Sequence, residues 1–553
     1  MHYIPRLTVL IPFLNEREEV VITVKEIRRT EGNKVHIITL NDHSDGDFDY
    51  EDKLKPYDVF YMCNKKTLGS AQSRDICVES CKTPYFLFLD AHMRFYENGW
   101  AERLIKLLDE NDRQLLCSQT RVLSKDEKGV IHEAKNRGKT YGAYMPLMFG
   151  EYLPDIRWSN VELYPESTEE PIPFVLGAAY AGSKRYWQYL RGMAGLRRYG
   201  CEEQYISLKV WQEGGQCILL KDFIVGHIYR KKSPYKQYSE TIVFNYLWIS
   251  RLLFPQSLWC KSFATALKRN KVCYKKAMTF FEQSADEYKD LQCYYTKIFT
   301  KKFSDVLGAH RAVKNKIVSK LIENRCKNLP QIAEKLSKNP SSHFGLFDGK
   351  MGQILWLEHY SYYSSEECWD SITSSLWEDV CQAVTTRQLS WCFSKGIAGI
   401  GWAVYYLYEQ HFINVLPDRV LEDIDEQLQL CSIERMTDMS IAEGFGGLLV
   451  YCCMRIKYAK IQNKTLKWQP SFSLALHNKV KEALDFYTDL RLLTYALQFE
   501  ELEQGHVDAD DVTISMADVC DLKENYPKNV QYWTFELGDA TLSATLLAML
   551  NTK

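Results

Sequence analysis

The chain has 553 residues, too many for one ordinary core, so two or three domains are expected. Apolar content of 46% and aromatic content of 13% describe folded globular protein and exclude extensive disorder. A formal net charge of -2 gives no electrostatic ground for nucleic acid or an anionic membrane as partner.

The first 230 residues alternate strand and helix signals. "LTVLIPF" (7–13) is a short apolar run with β-branched residues, followed by a charged, helix-favouring stretch at 15–29. "KVHIITL" (34–40) and "YDVFYM" (57–62) repeat the strand signal. A helical stretch from Gly69 to Cys81 leads into "YFLFLD" (85–90). The alternation predicts an open, mostly parallel α/β sheet, and such sheets bind ligands beyond the carboxyl ends of their strands. The residues to inspect are therefore Asn15 and Glu16, Asn41 to Asp45, and Asp90 to His92.

From 241 to 340 the pattern turns helical, and "NLPQIAEKLSKNPSSHFG" (328–345) reads as a domain boundary. Beyond it a loose repeat runs through "GLFDGKMGQILWLEHY" (345–360), "SKGIAGIGWAVYYLY" (394–408), "EGFGGLLVYCCMRI" (443–456) and "ELGDATLSATLLAML" (536–550). Glycines that open apolar helices at each copy predict backbones packed around a common axis, as in an α/α toroid. The domains expected are 1–240, a helical extension at 241–340, and an all-α domain at 341–553.

Seventeen scattered cysteines form no zinc-ribbon pattern, and a secreted disulfide framework is not expected in a chain of this size. The opening "MHYIPRLTVLIPFLNE" lacks a basic segment followed by a long apolar core, and no run of about 18 uncharged apolar residues occurs. The nearest, "TIVFNYLWISRLLF" (241–254), is broken by Arg251. The expectation is a soluble protein of a reducing cytoplasm.

Asp90 and His92 lie two apart at the end of a buried strand, so a continuing strand turns both to one face. A carboxylate with an imidazole can hold a divalent cation between phosphates; the plainer alternative is a strand running out into a polar turn. "TLNDHSDGD" (39–47) offers acids and a small hydroxyl able to hold a nucleoside, or a solvated turn. "KTLGSAQSRD" (66–75) places Gly69 and Arg74 at a helix start. "YGCEEQYISLKVWQEGGQCILLKDFIVGHIYRKKSPY" (199–235) combines an acidic pair opening a helix, a Gly-Gly turn, a strand and a lone His227 beside a basic segment.

These blocks resemble the nucleotide-sugar-dependent glycosyltransferases of the GT-A fold, and in particular the polypeptide N-acetylgalactosaminyltransferase group, over roughly residues 5–255 with a weak middle at 120–170. The resemblance implies a Rossmann-like domain in which Asp90, His92 and His227 hold Mn2+ (or Mg2+) bound to the diphosphate of a UDP-sugar. It further implies that Asp42 contacts the nucleoside, as does Asn15 or Glu16 nearby, and that Arg74 lies beside the diphosphate or orients Asp90. Gly69 opens the donor-binding helix. Gly177 and Ala178 in "PFVLGAAYAGSK" would permit close approach of the donor sugar, and Arg230 and Tyr235 belong to a lid over the phosphates. Two departures stand out. Asn41–Asp42 replaces paired acids, and Glu202–Glu203 replaces the acid-amide of the retaining group. Glu203 can therefore be a general base, as in inverting transferases, or a helix-start acid favoured by the dipole.

The segments at 345–360, 394–408 and 443–456 resemble the repeats of lanthionine-synthetase C-like proteins, covering about half a toroid. Cys392 matches one zinc ligand of those enzymes, but the chain has no Cys-His dipeptide, so the domain reads as a non-catalytic binding or scaffolding module. The function expected is transfer of a hexose or N-acetylhexosamine to a hydroxyl on a peptide or protein. The alternatives are a glycan acceptor in polysaccharide assembly, or a non-catalytic sugar-nucleotide or peptide-binding partner.

Overall fold

The structure, a computed structural model, describes residues 4–126, 129–133, 140–145, 152–230, 238–303, 305–306, 329–347, 349–365, 369–387, 389–505 and 549. The chain separates into two compact units, Met1–Phe254 with Arg269–Ile317, and Pro255–Lys268 with Val318–Lys553.

The first unit begins as the alternation predicts. β1 (Leu7–Phe13), α1 (Glu18–Glu31), β2 (His36–Asn41), α2 (Tyr50–Leu54), β3 (Phe60–Cys63), α3 (Ser70–Ser80) and β4 (Tyr85–Leu89) follow in order. All five residues of β4 are buried, as a strand covered on both faces requires. Helix α1 buries Val20, Val24 and Ile27 along one stripe against Leu7, Val9 and Ile11. Then come β5 (Met93–Phe95), α4 (Trp100–Glu110), β6 (Gln114–Lys125), β7 (Ile131–Glu133), a two-stranded pair β8 (Ala143–Tyr144) and β9 (Arg157–Trp158), β10 (Glu169–Pro171), β11 (Ala179–Ser183), α5 (Lys184–Tyr189), α6 (Glu202–Glu213) and β12 (Gln216–Ile228).

Among the described residues the sheet runs β10-β12-β6-β11-β4-β1-β2-β3, with β5 on β12 and β7 on β6. It is parallel through β4-β1-β2-β3, where helical crossovers join the strands. The second half is mixed. The small-residue strand β11 (AYAGS) enters antiparallel between β4 and β6, and only β6 and β12 pair parallel there. The result is a mixed sheet. A bulge between Leu220 and Ile224 lets the long β12 continue to His227 and pair with β5.

Helices α7 (Ser239–Leu253), α8 (Gln256–Arg269), α9 (Lys271–Gln283) and α10 (Ala285–Ile298) follow. Helix α9 packs on α7 through Phe281, whose ring lies 5.6 Å from that of Trp248.

The second unit is helical: α11 (Leu329–Lys338), α12 (Lys350–Ser364), α13 (Asp370–Thr385), α14 (Ile397–Glu409), α15 (Asp418–Leu428), α16 (Phe445–Ile461), α17 (Pro470–Phe486) and α18 (Leu490–Glu503). The three described repeat copies give α12, α14 and α16, which are buried nearly all round, whereas α15 buries only a stripe of Leu421, Ile424, Asp425 and Leu428. Each inner helix is opened by a glycine with no room for a side chain. A Cβ would stand 2.2 Å from Gly345 N at Gly349, 2.1 Å from Ser390 O at Gly396, and 2.3 Å from Asp438 O at Gly444. Backbone hydrogen bonds tie successive copies: Phe347 N–H donates to Ser394 O and Ser394 N–H to Ala442 O, both 2.9 Å. The copy at 536–550 lies outside the described residues apart from Met549.

Candidate metal centre and its cavity

A cavity of about 550 Å³ opens at the carboxyl edge of the sheet, lined by the ends of β1, β2, β4 and β12 and the starts of α3 and α6. Three side chains meet in it. Asp90 follows β4 and is pinned when its N–H donates to Ala178 O at 3.1 Å. His92 precedes β5, and His227 lies near the end of β12. The antiparallel register His227↔Met93, with Ile228 N–H donating to His92 O at 3.2 Å, brings the second imidazole beside the first. The ring centroids are 4.7 Å apart, and one ligand atom from each of Asp90, His92 and His227 lies within 4.8 Å of the others. Among the described residues this is the group of three such side chains close enough to share an ion.

The donor set suits a divalent cation. His227 Nε2 lies 2.9 Å from Asp90 Oδ2, close to the roughly 3.0 Å edge of an octahedron with bonds of about 2.1 Å. Burial pushes the His227 imidazole down, and the hydrogen bond and charge of Asp90 only partly offset this. Burial pushes Asp90 up, but the hydrogen bond and charge of His227, with His92 and Arg74 behind, hold its carboxyl below the usual range. His227 Nδ1 is buried without a hydrogen-bond partner.

Glu16 stands behind His92, with Oε2 at 3.2 Å from Nδ1. Arg230 grips the same carboxylate through both terminal nitrogens. Burial pushes Glu16 up, yet its bonds to His92 and Arg230 prevail and keep it ionised. Asn15, by contrast, does not line the cavity. It takes a positive φ of 61° and ties β1 to the turn after β2: its N–H donates to Ser44 Oγ at 2.8 Å, and Asp45 N–H donates to its side-chain oxygen at 2.7 Å.

Asp42 lines the cavity, but its carboxylate already accepts from Asn64 Nδ2 at 2.7 Å, Leu68 N at 2.9 Å and Gly69 N at 2.7 Å. It thereby holds the entry to α3. Gly69, at φ +98°, has a place for a Cβ only 2.2 Å from Arg198 Cα, so the two backbones can meet only at a glycine.

Arg74 is buried and donates to Glu203 Oε1 at 2.7 Å. Glu203 in turn fills the space above Gly177, where a Cβ would lie 2.5 Å from its Oε1. Gly177 and Ala178 thus floor the cavity, with Gly177 making way for Glu203. Glu202 accepts from Gly200 N–H at about 3.0–3.1 Å. Burial and the charge of Glu203 raise its pKa to about 7. Tyr235 lies outside the described residues.

Sequence reasoning missed the aromatic side chains that line the cavity beside His227. Trp158 packs on Tyr229 with centroids 4.8 Å apart, and Tyr229 meets the His227 ring edge-on at 4.2 Å. Arg198, Tyr199 and Tyr238 also line the cavity. Trp158 falls in the stretch with the weakest pattern, and a lone tryptophan on a two-residue strand offers no periodicity to read. In the second unit Cys392 is buried beside Ser390 Oγ at 3.2 Å and Ser394 Oγ at 3.8 Å.

The profile of the family described as Glycosyl transferase family 2 matches residues 8–157, the strand and helix succession up to β9. Among curated proteins, polypeptide N-acetylgalactosaminyltransferase 3 of Drosophila melanogaster is 26% identical over 246 residues, 42% of this chain and 36% of that protein. Polypeptide N-acetylgalactosaminyltransferase 10 of Rattus norvegicus is 26% identical over 244 residues, 42% of this chain and 39% of that protein. The chain thus spans about two fifths of the length of these curated relatives. A crystal structure of GalNAc-T7 with UDP, GalNAc and Mn2+ covers 57% of this chain and 58% of its own, at 19% identity and a TM-score of 0.45.

Proposed function

We propose that the chain is a metal-dependent glycosyltransferase that moves a hexose or N-acetylhexosamine from a UDP-sugar to a hydroxyl on a peptide or protein. The observation that carries the reading is the convergence of Asp90, His92 and His227 in the cavity at the carboxyl edge of a GT-A-like sheet. The family 2 profile over 8–157 and the peptide N-acetylgalactosaminyltransferases among the relatives support it.

In this reading Asp90, His92 and His227 hold Mn2+ or Mg2+. When bound, the cation neutralises charge that builds on the leaving diphosphate. The protein's own residues do the rest. Gly69 and Ser70 line the cavity at the start of α3, where Asp42 holds the Gly69 N–H and Arg198 O the Ala71 N–H, so the entry to the helix is fixed. Arg74, paired with Glu203, keeps a cation beside Asp90 and holds that carboxylate in the space above Gly177. Glu202 is the acid able to gain or lose a proton near neutral pH. The aromatic wall of Trp158, Tyr199 and Tyr238 offers flat apolar surface to an acceptor.

The helical unit, with its glycine-opened inner helices linked copy to copy, fits the resemblance to lanthionine-synthetase C-like repeats and would serve acceptor recruitment. No described helix is long and apolar enough to cross a membrane. A reducing, cytoplasmic setting agrees with the described cysteines, each a free thiol and more than half of them buried.

The test is turnover of a panel of nucleotide sugars with Mn2+, scored as donor hydrolysis and as transfer to peptides. One UDP-sugar should be consumed, and Asp90→Asn should lower the rate at least about 100-fold. Consumption by Asp90→Asn at the wild-type rate in excess chelator would defeat the reading.

A further inference from the structure

Glu16 lies just past the end of β1, buried at 8% exposure, and faces two partners from distant parts of the chain. His92 Nδ1 is 3.2 Å from its Oε2. Arg230 donates Nη1 to Oε1 at 2.9 Å and Nη2 to Oε2, and the same Nη2 lies 3.4 Å from His92 Nδ1. This two-pronged grip is the geometry in which a guanidinium takes a carboxylate or a phosphate. Arg230 lies two residues beyond β12 and lines the cavity that holds Asp90, His92 and His227. A guanidinium held by an internal carboxylate is not available to an incoming anion. Glu16, however, is not abandoned if Arg230 departs, because the imidazole of His92 remains beside it. An uncompensated buried carboxylate would be costly; one with a partner is not.

We propose that Glu16 is an internal stand-in for the donor's diphosphate. It holds Arg230 while the cavity is empty and yields the guanidinium to the diphosphate when that anion enters. Throughout, it stays bonded to His92 Nδ1 and so leaves Nε2 as the nitrogen for the cation. This rests on the nucleotide-sugar reading and adds to it a positioning residue with two opposed effects. As the carboxylate behind a ligating histidine, Glu16 strengthens cation binding. As the competitor for Arg230, it weakens anion binding by the fraction of molecules in which the pair is closed.

Calorimetric titration of the full chain separates the two. Mn2+ is titrated alone, and UDP is titrated at saturating Mn2+, for wild type, Glu16→Gln, Arg230→Met and the double variant. Glu16→Gln should weaken Mn2+ binding about tenfold and tighten UDP about threefold. Arg230→Met should leave Mn2+ binding within about twofold and weaken UDP about tenfold or more. In the Arg230→Met background, Glu16→Gln should no longer tighten UDP. If Glu16→Gln weakens UDP or leaves it unchanged at saturating Mn2+, the exchange is wrong. If that variant does not fold, Arg230→Met decides: an unchanged UDP affinity overturns the exchange and a selective loss supports it. Absence of UDP binding to the wild type defeats the nucleotide-sugar reading along with the exchange, whereas wild-type binding with indifferent variants defeats the exchange alone.

Discussion

Glu202 and Glu203 are adjacent in sequence and alike in type, yet their surroundings set them apart. Glu203 is paired with Arg74, while Glu202 is buried and repelled by its neighbour, with the charge of Arg74 and backbone N–H groups offsetting this only in part, so it holds its proton to about pH 7. The unfolded chain releases that proton near 4.5. Between these values the folded state binds more protons, so this group's contribution to stability falls as pH rises from 4.5 to 7. Glu202→Gln should therefore raise the unfolding free energy at pH 8 by up to roughly 3 kcal/mol, with the gain shrinking towards zero at pH 5. Denaturant melts at the two pH values check this, and a gain of equal size at both would remove Glu202 as a group titrating near neutrality. At this scale the cluster of Asp90, His92 and His227 was legible because few side chains serve a divalent cation and each stands near the end of a strand signal. The Glu16–Arg230 grip was not, since 214 positions separate the pair and neither carries a local pattern.

Elements bring those residues together. The sequence marked β1, β2 and β4 closely, because buried parallel strands read as unbroken apolar runs. It could not show that β11 enters antiparallel, or that β5 pairs with β12, because partner choice depends on contacts far along the chain. The second pairing matters most: a slip of one residue at His227↔Met93 turns the imidazole to the other face of the sheet. The approach of α3 to the segment before α6 is equally demanding. Gly69 combines φ +98° with a Cβ position 2.2 Å from Arg198 Cα, and Ala71 N–H donates to Arg198 O at 3.1 Å. Gly69→Ala should destabilise the first unit by roughly 2 kcal/mol or more. Thermal unfolding followed at the tryptophan signal measures this, and an unaltered midpoint would mean that the close approach is not needed.

On the scale of the molecule, two units with separate cores share one chain. The glycine repeats were readable because periodicity is local, whereas the compact units do not divide at the 328–345 signal. Which unit each helix between 241 and 340 joins was not readable, since their composition is uniform and membership is decided by contacts; α8 falls almost wholly in the second unit. The account depends above all on the first unit binding a divalent cation and a nucleoside diphosphate together. By linkage, each ligand must then tighten the other to the same degree. Mn2+ binding followed by electron paramagnetic resonance, with and without UDP, measures this in wild type and His227→Ala. The account predicts a bound Mn2+ signal that UDP strengthens about tenfold or more in the wild type and that is lost in His227→Ala. Equal Mn2+ affinity in both proteins, or a wild-type affinity indifferent to UDP, would contradict it.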